Sequence, residues 1–418
     1  MKSLIRNTAF RRLFVGRLVT NAGDSLYYVA AMWLVYDLGG SAFYTGLAGF
    51  LTLVPTTLQF LTGPFADRWD LRRLLVGTQV LQAALVLIIP VAAMTGWLSV
   101  TVVLVVMPLA AMVSQFVYPA QNAALPRIVQ EEEIVDANSA FSFAYQGVDT
   151  AFSSLGGVLV ALFGAVSLYL IDSVTFILTA LIFAVTRIPD AESETNQENT
   201  DRVTSTFSDY VEKLREGIEY IRGTILILTL GASVIVNFMI GAMMAVLPAF
   251  AASRGGSETY GILLAAMTAG LLIGALMASP LKQVSLSRLN IIGFSLGGFA
   301  WLTAVYVQWL PVTAVLFCFA WVPVGVTNVV FMAMTQTYVP ERLLGRVTSV
   351  NVSASAAAMP VGSLLGGVAG DAIGSTVVVG VTGVGFLFVT LYWLSHPLLR
   401  YVPSVEKLDP SEYGLGQL

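Results

Sequence analysis

The sequence predicts an all-α membrane protein with twelve transmembrane helices, arranged as two pseudo-symmetric halves of six. Composition is the first of three observations behind this fold class, since 56% of the 418 residues are hydrophobic and only 11% are charged. A soluble protein carries about 25% charged residues. The second is a series of apolar runs, each close to the roughly 20 residues with which a helix crosses a bilayer. The third is that the basic residues between these runs fall on one side of the predicted membrane.

The apolar runs form two groups of six. The first group lies near residues 13–36, 45–65, 74–94, 98–119, 138–162 and 166–185. The second lies near residues 225–250, 260–280, 289–307, 312–334, 347–370 and 375–395. We therefore expect an N-terminal six-helix bundle over 1–186 and a C-terminal one over 223–397. Residues 187–222 begin with an acidic stretch and end with apolar residues at helical spacing, which predicts a cytoplasmic linker that includes a surface helix. We expect residues 398–418 to form a cytoplasmic tail.

The charge distribution sets the orientation of the spans. We place both termini, the linker and each loop that leads from an even-numbered span to the next odd-numbered span inside. Only Arg254 among the loop arginines and lysines then falls outside. This asymmetry follows the positive-inside rule, so we expect a multi-pass protein of the cell membrane with cytoplasmic termini. The halves also echo each other, because Leu155-Gly-Gly-Val158 followed by Gly164 matches Leu365-Gly-Gly-Val368 followed by Gly374.

Several function classes do not fit this composition. The single cysteine, Cys318, and the single histidine, His396, cannot assemble a His/Cys metal site or an internal disulfide. The chain has no phosphate-binding Gly-x-x-x-x-Gly-Lys-[Ser/Thr] run, and a net charge of −4 does not suit a nucleic-acid binder. We expect neither an enzyme nor a cofactor, and any work that the protein does must draw on a gradient or on no energy source. The expected partners of the monomer are a small-molecule substrate and the lipid bilayer.

The loop from Gly63 to Arg73, GPFADRWDLRR, lies between two apolar runs. It resembles the signature loop of the major facilitator superfamily, although Asp70 and Leu71 replace the common glycine and basic residue. Four further stretches resemble the twelve-span drug:proton antiporter branch that includes macrolide-efflux proteins and the enterobactin exporter. They read FRRLFVGRLVTNAGDSLYYVA, FADRWDLRRLLVGTQVLQA, YPAQNAALPRIVQEEEIVDANS and VPERLLGRVTSV.

This resemblance implies the major facilitator fold and a secondary transporter that exports amphipathic small molecules by alternating access, driven by proton entry. The residues that it assigns to a gating loop are Gly63, Asp67, Arg68, Arg72 and Arg73. Among these, Asp67 is expected to meet the N-terminus of the eleventh span near 345–347, where a helix attracts an anion. The alternative for the two C-terminal arginines is that they only anchor the loop on the positive side.

Two polar stripes could carry the mechanism. Arg17, Asn21, Asp24 and Tyr28 recur at i, i+4, i+7 and i+11 on one face of the first span. The fifth span repeats this spacing with the residues Ser142, Gln146, Asp149 and Ser153. Charged residues within a membrane are costly and mark functional sites by default. We therefore expect Asp24 or Asp149 to bind a proton or the substrate. The alternative is that Arg17 and Asp24 only form an ion pair with each other.

Other residues are assigned to a cavity wall or to helix packing. Aromatic and amide side chains that could line a substrate cavity are Tyr27, Trp33, Gln115, Tyr118, Asn237, Trp321, Asn328 and Gln336. Small residues that allow close helix contact are Gly156, Gly157, Gly366 and Gly367. Two alternatives for the function stay open: a siderophore or lysophospholipid transporter of the same fold, and a non-transporting membrane sensor or scaffold whose acidic linker binds a partner.

Overall fold

The computed structural model describes residues 4, 6–57, 70–189, 212 and 215–415. Within these residues the regular elements are helices, and no strand occurs. The all-α part of the predicted fold class is therefore confirmed. In the same residues, nine helical stretches are long and apolar enough to cross a membrane, with the two helices between 100 and 128 taken as one stretch.

The helices are numbered in chain order. The first seven are α1 (Thr8–Gly39), α2 (Ala42–Thr57), α3 (Leu71–Thr95), α4 (Val100–Ser114), α5 (Val117–Ile128), α6 (Ile134–Phe163) and α7 (Ala165–Ala184). The next six are α8 (Ile225–Ala252), α9 (Ser257–Leu281), α10 (Leu286–Tyr306), α11 (Leu310–Tyr338), α12 (Glu341–Ile373) and α13 (Ser375–Ser395). Residues 215–222 are also helical and lie in the segment where the sequence predicts a surface helix.

The chain divides into two compact units. Unit 1 comprises Met1–Gly40 and Leu51–Asp209, and unit 2 comprises Ser41–Phe50 and Tyr210–Leu418. Unit 2 thus contains the first half of α2, a helix that the sequence assigns to the N-terminal bundle.

The same helix pairs pack in both units. In unit 1, α1 contacts α6 and α7, and α3 contacts α4 and α7. In unit 2, α8 contacts α12 and α13, and α10 contacts α11 and α13. Since α8 to α13 correspond in order to the spans predicted for the N-terminal half, the internal sequence repeat is matched by repeated packing. Parallel repeats of this kind occur in transporters that bind their substrate near the middle of the membrane.

The predicted fourth span is interrupted. Its two parts, α4 and α5, meet at Gln115 and Phe116, whose N–H groups donate to the carbonyl oxygens three residues earlier. Pro119 accounts for this turn, because a proline has no N–H to donate to the carbonyl four residues before it, that of Gln115.

The ends of α3 and α7 are held by charged side chains. Asp70 accepts a hydrogen bond from Arg73 N at 3.1 Å and caps α3. Arg72 donates to the carbonyl oxygen of Ala184, and Arg12 Nη1 donates to that of Val185 at 2.6 Å. Two arginine side chains thus donate hydrogen bonds to free carbonyls at the C-terminus of α7, and their charges interact favourably with the negative end of its helix dipole.

In unit 2, the tail after α13 is folded against the helix ends. Ser287 Oγ at the start of α10 donates to Leu399 O at 2.5 Å, and Tyr338 Oη at the end of α11 donates to Val405 O. Lys282 Nζ forms an ion pair with Glu406 Oε1 at 2.9 Å. The sequence had predicted no more than a cytoplasmic tail for 398–418, whereas residues 399–415 form a strap across the ends of α9, α10 and α11.

Glycines allow the close helix contacts that the sequence predicts. A Cβ on Gly156 would meet Val29, and one on Gly366 would meet Ala242. A Cβ on Gly367 would lie 2.7 Å from Gly46 Cα. At this point the backbone of α12 is therefore in close contact with the first half of α2. Gly157 is buried in α6. These contacts agree with an assignment to packing.

Candidate functional site

The polar stripe of α1 faces a cavity inside unit 1. This cavity, the first chamber, has a volume of about 470 Å³. Its wall includes all four predicted α1 residues, Arg17, Asn21, Asp24 and Tyr28. The helical spacing places them there, since positions i, i+4, i+7 and i+11 lie on one helix face.

Asp149 of α6 lies on the wall of the same chamber as Asp24. The structure therefore brings together the two carboxylates that the sequence could not relate to each other. The remaining wall consists of Ser25 and Thr56, together with Ser114, Gln115, Val117, Tyr118 and Tyr145. Gln115 and Tyr118, which the sequence assigned to a cavity, reach it because α4 and α5 meet at this point.

Ser25 connects Asp149 to the backbone of α1. Its Oγ lies 2.6 Å from Asp149 Oδ1 and 2.9 Å from the carbonyl oxygen of Asn21. A hydroxyl carries a single proton, so Ser25 cannot donate fully to both acceptors. Both contacts become ordinary hydrogen bonds when Asp149 is protonated and donates to Ser25 Oγ, while Ser25 donates to Asn21 O. An ionised Asp149 can only accept, and Ser25 then donates its hydrogen bond to Asp149 Oδ1.

Arg17 lies against an aromatic pair rather than in an ion pair. Its guanidinium carbon is 4.7 Å from the centre of the Tyr145 ring, and the Tyr145 and Tyr118 ring centres are 6.0 Å apart. None of the side chains that the structure describes offers Arg17 a carboxylate within 4 Å, and the predicted alternative of a pair with Asp24 is not formed. A cation over an aromatic face is stabilised by the ring quadrupole.

A second chamber of about 390 Å³ lies beyond this aromatic pair. The two chambers share Arg17, Tyr118 and Tyr145. The rest of its wall is formed by Gln121, Asn122, Asn138, Phe141 and Ser142. The second chamber thus combines one cation with three amides, a hydroxyl and two phenols.

Two amide donors of these walls have no partner in the described part of the chain. They are Asn21 Nδ2 and Gln121 Nε2, and their residues are 5% and 3% exposed. Buried polar groups are almost always hydrogen-bonded, and each exception needs an explanation. Among the described residues no cluster of His, Cys, Asp or Glu is placed to hold a metal ion.

Unit 2 holds a smaller and uncharged cavity of about 110 Å³. Asn237 and Asn328, two of the residues assigned to a cavity wall, line it together with Asn290 and Thr327. Thr327 Oγ1 donates to Asn290 Oδ1 at 3.3 Å, and Asn237 Nδ2 donates to Ser233 O at 2.9 Å. Among these three cavities, only the two chambers of unit 1 have charged side chains on their walls.

Several other candidates lie away from the described cavities. Tyr27 is 7% exposed and packs on Tyr169 with ring centres 5.9 Å apart, while Trp321 is 2% exposed in a cluster with Trp301. Their aromatic rings fill helix contacts, which is the common role of such residues. The ring centres of Trp33 and Tyr36 are 6.3 Å apart. Gln336 is exposed near the end of α11. The side chain of Gln146 is not among those that the structure describes.

The predicted gating loop is described only at its end. Gly63, Asp67 and Arg68 lie outside the described residues, so the proposed contact of this aspartate with the eleventh span stays a prediction. Arg72 caps α7, as described above. Arg73 is largely exposed, and its Nε lies 3.2 Å from Asp70 Oδ2.

Sequence reasoning missed Ser25 and the amides of the second chamber. Ser25 lies four residues after Asn21, at the edge of the polar face of α1, but only the position of α6 reveals its contact with Asp149. Gln121 and Asn122 occur in a stretch quoted above for its family resemblance, YPAQNAALPRI. Two adjacent amides just after an apolar run were the available signal.

The chain as a whole has the fold of a major facilitator superfamily transporter, with two repeated helical units and charged chambers among apolar helices. It belongs to the transmembrane secretion effector family of that superfamily, whose model matches residues 3–412. The resemblance drawn from the loop and the four stretches is thereby confirmed. The protein is a multi-pass membrane protein of a transporter family.

Relatives of known sequence match almost end to end. The chain is 25% identical to the multidrug efflux pump Tap of Mycolicibacterium fortuitum, with 94% of this chain and 95% of that protein covered. It is 28% identical to the Tap pump of Mycobacterium tuberculosis strain H37Rv, with 90% of each covered. An uncharacterized MFS-type transporter of Bacillus subtilis, YvqJ, is 26% identical over 90% of this chain and 89% of its own length.

Solved structures share the fold at low identity. A bacterial homologue of the human lysosomal transporter Spinster superposes with a TM-score of 0.71 at 13% identity, covering 95% of this chain and 99% of the other. A bacterial homologue of the iron transporter ferroportin gives a TM-score of 0.64 at 14% identity, covering 93% and 98%. This likeness concerns the fold alone.

Proposed function

We infer that this protein is a proton-coupled exporter of amphipathic small molecules that works by alternating access. In this proposal a monomer crosses the cell membrane twelve times, with an N-terminal bundle, a linker, a C-terminal bundle and both termini in the cytoplasm. The observation that carries the proposal is the shared chamber of Asp24 and Asp149, two carboxylates among apolar helices. The matches to Tap multidrug efflux pumps support the export of small molecules.

The contact between Ser25 and Asp149 supports a site for a proton. A proton on Asp149 allows Ser25 to keep its backbone hydrogen bond, whereas an ionised carboxylate needs Ser25 as its hydrogen-bond donor. Two arrangements of one hydroxyl, each favoured by one protonation state, are what a proton-coupled step needs. Ionised carboxylates inside a membrane are costly, so a chamber that opens to water in one state and closes in the other would load and release the proton.

Asp24 supplies the second acidic group. None of the side chains that the structure describes pairs with it within 4 Å, and it lies seven residues from Arg17 along the same helix face. It is therefore available to a cationic group of a substrate or to a second proton. The chamber volume of about 470 Å³ falls in the range of small-molecule sites.

Dye efflux from energised cells tests the proposal. Cells that express the protein, Asp24→Asn or Asp149→Asn are loaded with a fluorescent amphipathic dye, and efflux is followed with and without a protonophore. Efflux by the wild type should collapse with the protonophore and in either variant, while all three proteins reach the membrane in equal amounts. The matched control is Asp37→Asn, since Asp37 is exposed near the end of α1 and lies on neither chamber.

Efflux that persists with the protonophore would contradict proton coupling. Full efflux in both chamber variants would remove the carboxylates from the mechanism. The absence of efflux for every dye would instead favour a siderophore or lysophospholipid substrate, or a membrane protein that does not transport.

A further inference from the structure

We propose that the second chamber of unit 1 is a subsite for an anionic oxygen group, a carboxylate or a phosphate, carried by the transported molecule. This inference rests on the proposed function, because it names a chemical property of the substrate. The walls of the two chambers, the state of Arg17 and the unpaired amide of Gln121 each support it.

The two chambers differ in charge. The first is lined by two carboxylates and Arg17, whereas the side chains described around the second include Arg17 and no carboxylate. Three amides and the Ser142 hydroxyl complete a wall rich in hydrogen-bond donors. An anion in the second chamber would meet a cation and neutral donors, while a cation there would be repelled by Arg17 without a carboxylate among the described wall residues to offset this.

Arg17 is held against an aromatic ring, and among the described side chains it forms no ion pair within 4 Å. It is 5% exposed, and its guanidinium carbon lies over the Tyr145 ring, 4.7 Å from the ring centre. A contact between a cation and a ring face does not pair the N–H groups with an oxygen, so these donors remain for an acceptor. A guanidinium binds carboxylates and phosphates with two parallel hydrogen bonds, which makes it the preferred cation for these groups.

Gln121 gives the second and independent sign of a ligand. Its residue is 3% exposed and its Nε2 has no hydrogen-bond partner among the described residues. Because a buried donor without a partner is unfavourable, its persistence on a cavity wall indicates that another molecule satisfies it. Arg17 and Gln121 line the same chamber, so one anionic group can accept from both.

The shared wall then defines the substrate class. A molecule whose anionic group binds Arg17 in the second chamber would place its remaining part in the first chamber, beside Asp24 and Asp149. The geometry therefore favours amphipathic acids, including amphoteric molecules whose cationic group meets Asp24. Arg17 and Asp24 are seven residues apart, which corresponds to about 10 Å along a helix.

Equilibrium binding to the full-length protein in detergent tests this inference without any gradient. Carboxyfluorescein, followed by fluorescence anisotropy, represents a soluble carboxylate, and a short-chain phosphatidate used as competitor represents a lipid phosphate. Gln121→Met keeps the side-chain volume and removes the unpaired donor, so its dissociation constant for the bound probe should rise about tenfold. Asn138→Asp places a carboxylate at an exposed position of the wall and should weaken binding at least as much.

Gln82→Met is the matched control. Gln82 is 2% exposed in α3 and lies on neither chamber, with Gln79 Nε2 donating to its Oε1 at 3.4 Å. The same substitution at an equally buried position should leave probe binding unchanged. Since Asn138 is exposed, its variant decides the question even if the Gln121 variant does not fold.

The outcomes separate the inference from the proposed function. Binding of the dye that weakens in both chamber variants supports a soluble anion, and binding of the phosphatidate alone with the same losses supports a lipid phosphate. A wild type that binds neither anion, or variants that bind as well as the wild type, would overturn the subsite. If both variants bind the probe more weakly while wild-type efflux is insensitive to a protonophore, proton coupling is refuted and the anion subsite still stands.

Discussion

Asp371 at the end of α12 accepts a hydrogen bond from the backbone N–H of Ala42, the first residue of α2, at 2.9 Å. The same carboxylate accepts from Ser41 Oγ. A carboxylate at a helix N-terminus satisfies free N–H groups and the positive end of the helix dipole. A side chain 329 positions further along the chain thus caps α2.

We predict that Asp371→Asn frees the first turn of α2. The neutral amide keeps one acceptor and loses the charge, which should reduce the stability of this turn by about 1 kcal/mol. Hydrogen–deuterium exchange of residues 42–46 measures the effect and should become faster. Asp37→Asn, at an exposed site near the end of α1, is the control, and equal exchange in both variants would contradict the cap.

Gly46→Ala should loosen the contact between α2 and α12. The added Cβ would lie 2.6 Å from Ser363 O and 2.7 Å from Gly367 Cα, both backbone atoms that cannot move independently. Overpacking of this kind costs about 1–3 kcal/mol, so the thermal midpoint of the detergent-solubilised protein should fall. Gly380→Ala in α13 meets no atom within 4 Å and should leave the midpoint unchanged or raise it.

Arg254→Gln should destabilise the end of α10. Arg254 Nη1 donates to Val307 O at 2.9 Å, and its guanidinium carbon lies 4.2 Å from the centre of the Phe250 ring. The loss of a cation that caps a helix C-terminus should cost about 1–2 kcal/mol. Thermal unfolding of this variant is compared with that of Arg288→Gln, whose side chain is exposed. Matching midpoints would show that Arg254 does not act as a cap.

Ser25→Ala should impair transport without unfolding the protein. It removes the hydroxyl that links Asp149 to Asn21, and the efflux rate should fall about tenfold if that link sets the proton step. Ser173→Ala is matched, because Ser173 is buried and its hydroxyl donates only to a carbonyl of its own helix, that of Tyr169. An equal loss in both variants would point to a general effect on packing.

Tyr338→Phe should release the C-terminal strap. The substitution removes the hydroxyl that donates to Val405 O and changes little else. Hydrogen–deuterium exchange over residues 399–415 should increase, corresponding to about 1 kcal/mol for a lost hydrogen bond. The control is Tyr306→Phe, because Tyr306 is 80% exposed. Unchanged exchange in the Tyr338 variant would mean that the other contacts suffice to hold the strap.

The sequence could predict the helices and the cavity face of α1, because both depend on local patterns. Apolar runs of fixed length mark helices, and the spacing from Arg17 to Tyr28 puts four polar residues on one face. The break between α4 and α5 has a local cause in Pro119, yet the hydropathy of that stretch gives no sign of it.

The remaining features depend on contacts between distant residues. Whether Tyr27 faces a cavity or the Tyr169 ring is decided by the position of α7, and the partner of Asp149 is decided by the rotation of α6 against α1. The assignment of the first half of α2 to unit 2 depends on Asp371, Gly46 and Gly367, which no periodicity connects. Whether a residue of a given type lines a cavity or packs in the core is therefore decided by the positions of neighbouring helices.

The position of the last described residues has a practical consequence for reporters attached to this protein. A Cβ on Gly414 would meet the carbonyl group of Gly223, one residue before the cap of α8, so the end of the strap lies beside the start of α8. A fluorophore attached just beyond Leu415, which is 1% exposed, would begin its tether next to the start of α8. Its signal would therefore report on the start of α8, rather than on a freely rotating terminus.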